Sequence, residues 1–310
     1  MSQIFVIDRK SRKKQPEKVF GEKALACLYG KGWLGRFLLP IVSRSPIFSV
    51  CYGFFQKLPW SKRKILPFIR HYDVDVTEFL DPVSSFSSFN DFFIRRLKPE
   101  ARPIDPSPQQ AIIPADGRYL FYQNIEEAEG FVVKGQKFCL ATLLGSEERA
   151  VKYKGGSMVI GRLAPPDYHR FHFPCDCVPG ESLLLNGWLY SVNPLALRQN
   201  VQILSQNKRM LCDLKTDLFG DVLYLEIGAT SVGTIRQTYS PFTFQPKGAE
   251  KGYFQFGGSC LILLFEKDRI QFDSDLLISS EGLEIRCLVG QSMGKISHGQ
   301  GENPFLPRNF

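Results

Sequence analysis

Phe256-Gly257-Gly258-Ser259-Cys260 runs directly into Leu261-Ile262-Leu263-Leu264-Phe265. A continuous apolar run bounded by glycines predicts a buried strand, so Ser259 stands where a flexible turn enters a packed sheet. Two glycines without Cβ atoms let the backbone bend back onto that hydroxyl. Bent that way, Ser259 Oγ reaches the carbonyl carbon of Gly258, its own upstream peptide. A Gly-Gly-Ser turn before a strand is also an ordinary turn, and its chemical reading depends on what lies upstream.

From about residue 111 the chain reads as short β-rich runs: 111–114, 118–122, 131–133, 157–163, 181–190, 221–227, 231–239, 260–265 and 283–289. Many short strands with Gly and Pro between them predict a sandwich or open barrel. Before them, Ser87/Ser88 can cap a short helix over Phe89–Leu97, and Lys98–Pro106 reads as a Pro-rich extended connector. No Walker loop or dinucleotide fingerprint follows any of these strands.

The N-terminal region has a different texture. Residues 1–72 hold fifteen Lys/Arg against Asp8, Glu17 and Glu22, a net +12, and the remainder carries −4. Between Lys18 and Pro67 apolar residues recur at helical steps, divided by Pro40, Pro46 and Pro59 into short helices. Arg36 and Arg44 interrupt the best apolar stretch, so nothing there reaches the ~18 residues a bilayer span needs. Trp33, Phe54, Phe55 and Trp60 stand among Lys62-Arg63-Lys64 and other cations, a pattern suited to an anionic membrane surface. Packing on the protein's own core and contact with nucleic acid are the other readings of such a segment. The eight cysteines are scattered, and Met1–Asp8 lacks the order of a signal peptide. Reduced thiols in a cytosolic compartment are therefore expected.

Two short stretches can carry chemistry. Pro114-Ala115-Asp116-Gly117 joins two strand-like runs, as a plain turn or as a carboxylate orienting an imidazole. Pro165–Pro174 holds His169 and His172, two of only four histidines. Imidazoles here suit proton transfer near neutral pH. They can also be structural histidines or, with Cys175 and Cys177, zinc ligands, although the H-x₂-H-x₂-C-x-C spacing is unusual for zinc.

Phe89–Pro103, Pro114–Gly117, Asp167–Pro174, Tyr190–Pro194, Gly228–Ile235 and Lys247–Phe254 occur in an order that resembles phosphatidylserine decarboxylases. The likeness covers about residues 85–266. It implies a self-processing enzyme in which Ser259 Oγ attacks the Gly258 carbonyl and the peptide becomes an ester. β-Elimination and hydrolysis then leave a pyruvoyl group at residue 259. By the same resemblance His172 is the base beside Ser259, Asp116 orients it, and the glycines of 228–233 line an oxyanion pocket. This division of labour parallels that of serine hydrolases. The pyruvoyl cofactor forms a Schiff base with the serine amine of phosphatidylserine and acts as the electron sink for loss of CO₂. His169 is then the proton donor to the carbanion. Many members have Leu-Gly-Ser-Thr where this chain has Gly257-Gly258-Ser259-Cys260, which sets a thiol next in sequence to the reacting residue.

The expected architecture is α+β: a basic amphipathic membrane-associating region over 1–72, then a β-rich decarboxylase domain over 73–310 cut between 258 and 259. Phosphatidylserine and an anionic membrane surface are the expected partners, with the two cleavage fragments held as a heterodimer and no nucleic acid. The expected location is peripheral, on the cytoplasmic face of the cell membrane. A pyruvoyl decarboxylase of a soluble amino acid and a zinc-stabilised lipid-binding module are the alternatives.

Overall fold

The structure, a computed structural model, describes residues 4–18, 21, 28–29, 39, 43, 46–126, 139–197, 200, 202–229, 234–257, 259–277 and 283–297, without the side chains of 46–50 and 195. The apolar run after the Gly-Gly turn is strand β13 (Ser259–Phe265), and all seven residues are buried. It pairs antiparallel with β10 (Gly220–Gly228) on one side and β5 (Ser157–Leu163) on the other. Beyond β5 come β4 (Gly117–Tyr122), β15 (Glu284–Cys287), β1 (Phe5–Asp8) and β2 (Lys14–Pro16). Beyond β10 lies β9 (Arg209–Thr216), which pairs with both β7 (Val178–Pro179) and β8 (Leu183–Leu185). This ten-stranded sheet stays open.

Successive β13 side chains point to opposite faces, and each face is covered. Leu261, Leu263 and Phe265 enter a core with Tyr119, Val159 and Tyr224. Its far side is supplied by two three-stranded sheets. One is β11 (Ile235–Gln237), β12 (Glu250–Phe254) and β6 (Arg170–His172), and the other is β14 (Ile270–Phe272), β16 (Ser292–Ile296) and β3 (Gln110–Ile112). Cys260, Ile262 and Leu264 enter a second core with Leu223, Leu225 and the helical Leu140, Leu143, Ile203 and Leu204. Burial on both faces explains why β13 reads as an unbroken apolar run although its neighbours are antiparallel. The class is α+β, with small sheets on the inner face of the main sheet and helices on the outer.

The first residues do not form a separate segment. β1 pairs in parallel with β15, and Glu17 makes ion pairs with Arg118 of β4 and Arg162 of β5. The described residues up to Glu17, which precede the helical pattern read from Lys18, are thus built into the main sheet. Helices α1 (Pro46–Lys57) and α2 (Ile65–Tyr72) flank a 3-10 turn at Pro59–Lys64, with prolines placed where the sequence marks breaks. Ile65 and Phe68 pack with Phe89, Phe92 and Phe256 in a third core. Phe54, Phe55, Trp60 and Leu66 remain exposed. Trp33 and the run 131–133 lie outside the described residues.

Candidate active site

Ser259 opens β13 on the inner face of the main sheet and is fully buried. Gly257 before it has φ 140°, a backbone setting that L side chains rarely adopt. Gly258, the expected cleavage partner, lies outside the described residues. Helix α3 (Phe89–Phe93) buttresses this loop. Ser88 caps it by accepting from the Asp91 N–H at 3.2 Å, as the sequence predicts. Asn90 Oδ1 accepts from the Phe256 N–H at 3.1 Å, and the Phe93 and Phe256 rings meet edge to face at 4.9 Å.

The other face of this aromatic wall holds His169. Its ring stacks on Phe93 at 3.9 Å and is wholly buried. Nε2 lies 3.1 Å from the Ala164 carbonyl oxygen, which can only accept, so Nε2 carries the proton of the neutral ring. Nδ1 is left as a bare lone pair, 3.4 Å from Ser259 Oγ. Burial, aided by the positive charge of Arg95, lowers the His169 pKa to about 3. The imidazole is therefore an uncharged acceptor facing a hydroxyl, at the long separation common before a reaction tightens such contacts.

His172 ends β6. Its backbone N–H donates to the Pro114 carbonyl, and its ring lies 5.8 Å from Tyr168. Nδ1 is buried without a hydrogen-bond partner among the described residues. Burial lowers its pKa, opposed by the charges of Glu250 and Asp116. Asp116 is buried and held by Arg102, whose Nε lies 2.9 Å and 3.0 Å from the two carboxylate oxygens and whose Nη2 lies 2.6 Å from one of them. Asp116 Oδ1 also accepts from the Val289 N–H at 2.9 Å. The structure thus brings Ser259 to His169 and Asp116 to Arg102. Among the described residues no hydrogen bond joins Asp116, His172 and Ser259 in the line that the resemblance implies. Arg102 and Phe93 were missed as site residues, although both lie in the Phe89–Pro103 stretch.

Three other expectations find their places. Gly228 pairs with Ser259 across β10 and β13, whereas 230–233 lie outside the described residues. Cys175 and Cys177 are buried in the inner core, where burial pushes their thiols up, Cys177 to about 12. Among the described residues no three metal-ligating side chains converge. Cys260 follows Ser259 in sequence but points into the outer core, its thiol pushed up by burial to about 12. The thiol is on the opposite side of the sheet from the Ser259 side chain, although the two residues are adjacent in sequence. A pyruvoyl group at residue 259 has fewer atoms than the serine residue it comes from, so this enclosed position beside His169 accommodates it.

The sequence model of the phosphatidylserine decarboxylase family matches residues 89–295. The chain is 50% identical over 290 residues to the phosphatidylserine decarboxylase proenzyme of Chlamydia pneumoniae, covering 93% of this chain and 96% of that protein. It is 49% identical over 296 residues to the proenzyme of Chlamydia felis, covering 95% and 99%. Against the proenzyme of Chlamydia trachomatis serovar D identity is 40% over 294 residues, covering 94% and 97%. With the buried serine, the neutral imidazole and the family motifs in one chain, these matches show that it belongs to the phosphatidylserine decarboxylase family.

Proposed function

We propose that this chain converts phosphatidylserine to phosphatidylethanolamine with a pyruvoyl group made from Ser259 by breaking its own Gly258–Ser259 bond. The observation that carries the reading is the buried Ser259 Oγ facing the bare Nδ1 of a neutral His169. The relatives' designation as proenzymes supports a processing step. For the cut, Ser259 Oγ adds to the Gly258 carbonyl and the amide becomes an ester. Loss of the α-proton then expels Gly258 as a carboxylate, and water replaces the residue-259 nitrogen, released as ammonia, with oxygen. A pyruvoyl group supplies an electrophilic carbonyl that withdraws the electron pair left by departing CO₂.

The chain's own residues divide the proton work. His169 faces the side of residue 259 that Oγ vacates, which suits delivery of a proton there during turnover. His172, with an unpartnered Nδ1 in the field of Asp116, is the proposed base for the cut. A second reading is favoured by the Ser259–His169 contact itself: His169 removes the hydroxyl proton as well. His169→Ala separates them. A chain that is cut yet inert supports the division, and an uncut chain gives both roles to His169.

After the cut the fragments stay interleaved as a heterodimer. Residues 259–310 supply β13 between β10 and β5, β15 between β1 and β4, and β16 beside β3. No described helix is long and apolar enough to cross a membrane. The exposed Phe54, Phe55 and Trp60, with Lys64 5.2 Å above the Trp60 ring, suit docking on the anionic cytoplasmic face of the cell membrane. An enzyme for a soluble amino acid has no need of this surface. Purified protein should form phosphatidylethanolamine on phosphatidylserine vesicles, leave free serine untouched, and lose activity to phenylhydrazine. Activity indifferent to that carbonyl reagent refutes the reading.

A further inference from the structure

His169 follows a two-proline turn that is held from several sides. The Asp167 N–H donates to the Ala164 carbonyl at 2.9 Å, and the Ala164 N–H donates back to Asp167 Oδ2 at 2.7 Å. Between them Pro165 and Pro166 have a fixed φ and no N–H to satisfy. Arg118 Nη1 donates to the same Oδ2, and Glu17 faces Arg118 from beyond, its Oε1 3.0 Å from Nε. From another side Arg95 Nη2 donates to the carbonyls of Pro166 and Asp167 at 2.8 and 3.1 Å. Asp167, Arg118 and Arg95 are all buried. A buried ion pair returns little net stability, because desolvation of both charges offsets most of their attraction. Three buried charged side chains spent on one short turn therefore call for a purpose other than stability. The turn presents one group to the site: the Ala164 carbonyl oxygen, 3.1 Å from His169 Nε2.

We infer, on the proton role proposed above for His169, that Asp167 is a positioning residue for that imidazole and that Arg118 aims it. Asp167 closes the turn, the closed turn fixes the Ala164 carbonyl, and the carbonyl holds the Nε2 proton. A carbonyl oxygen can only accept, so the neutral ring keeps its proton on that side and turns the bare Nδ1 toward residue 259. A ring without this anchor can rotate or take its proton on Nδ1, and either change removes the acceptor that faces Ser259 Oγ. The short stem of an aspartate matters here. Its oxygen reaches the N–H three residues back while the same atom meets Arg118. If Asp167 served only to neutralise Arg118, any carboxylate in reach of the guanidinium would do.

Two variants separate these roles. Asp167→Asn keeps an acceptor on the same stem and gives up the charge. Asp167→Glu keeps the charge opposite Arg118 but sets its carboxylate one methylene too far out to close the turn. On dihexanoyl phosphatidylserine, kcat per cut chain should fall about tenfold or more in Asp167→Glu with KM kept, the order expected when the partner that orients a working imidazole is lost. Asp167→Asn should stay near the wild-type value. The reverse order, or equal loss in both, makes Asp167 a matter of charge balance or stability and overturns the inference. Nitrogen NMR of the histidine-labelled, uncut Ser259→Ala chain reads the ring itself, with no pyruvoyl chemistry involved. His169, identified by comparison with Ser259→Ala/His169→Phe, should show a slowly exchanging proton on Nε2 and a bare Nδ1. That signal should persist when Asp167→Asn is added and broaden or vanish with Asp167→Glu. Should Asp167→Glu fail to fold, Arg118→Lys in the same background keeps the charge, draws the carboxylate off the Ala164 N–H and should broaden the signal likewise. An Nε2 proton unchanged in the folded Asp167→Glu or Arg118→Lys chain overturns the positioning role. Cleavage and phenylhydrazine sensitivity of the wild type report on the parent reading independently.

Discussion

The two layers that flank the main sheet are built on different chemistry. The outer core around Cys260, Ile262 and Leu264 is almost entirely aliphatic and is closed by helices. The inner layer buries Ser259, His169 and Asp116, and with them Lys251, whose Nζ lies 2.5 Å from Glu226 Oε1 and 2.9 Å from Gln237 Oε1. One strand therefore presents a reactive side chain to one layer and inert ones to the other. The inner cover consists of two small sheets and the loops between them, whose free carbonyls and turns can satisfy buried polar groups. Helices covering the outer face offer such partners only at their ends, as where buried Arg209 donates to the Thr142 and Leu143 carbonyls at 3.0 and 2.7 Å.

The sharpest way to break the contrast is at β13 itself. Ser259→Ala should leave a folded, uncut chain without decarboxylase activity, whereas Cys260→Ala should be cut and active. Next in size, His169→Ala should release its C-terminal fragment in denaturing electrophoresis and yet form no phosphatidylethanolamine. Removing one partner of the inner ion pair comes third. Lys251→Met removes the cation from Glu226 at a fully buried site and leaves it the Gln237 Nε2 donor at 3.2 Å, so chemical denaturation should show a loss of about 3–5 kcal/mol. Glu226→Leu added to it should restore most of that loss, and a double variant no better than the single would contradict the pairing.

A smaller effect is expected in pH. The His169 pKa is depressed from 6.5 to about 3 in the folded chain, so between those values the unfolded chain binds a proton that the folded one does not. Its contribution is full above about pH 6.5 and is lost as pH falls toward 3. His172, shifted the same way by burial, adds with the same sign. Ser259→Ala/His169→Phe should accordingly lose less stability than Ser259→Ala over that window, followed by thermal unfolding. The smallest effect belongs to the outer layer. Cys260→Ala costs about 1–2 kcal/mol for its small cavity, and the thiol should resist alkylation in the native state.

What could be read from the residues follows the range of the contacts. β13 announces itself through seven consecutive buried positions, and Ser88 as a cap lies next to the helix it serves. β9 escaped notice because Arg209, Asp213 and Lys215 interrupt its apolar residues, although it supports β10 along eight paired positions. The order of the two histidines was illegible for a geometric reason. In extended backbone residues three apart point to opposite sides, so spacing alone does not say which of His169, just before β6, and His172, at its end, meets the Ser259 hydroxyl. Arg102, which holds Asp116, sits in a Pro-rich connector that reads as mere linkage. The pairing of β1 with β15 joins segments from opposite ends of the chain, beyond the reach of any local pattern.

Everything chemical here rests on a bond that the chain breaks in itself, and the mass of the purified protein reports on it directly. Denaturing mass spectrometry of the wild type should show fragments 1–258 and 259–310, the second beginning with a keto group in place of an amine, while Ser259→Ala gives one intact mass. A wild-type chain that stays whole while decarboxylating its lipid would contradict the account.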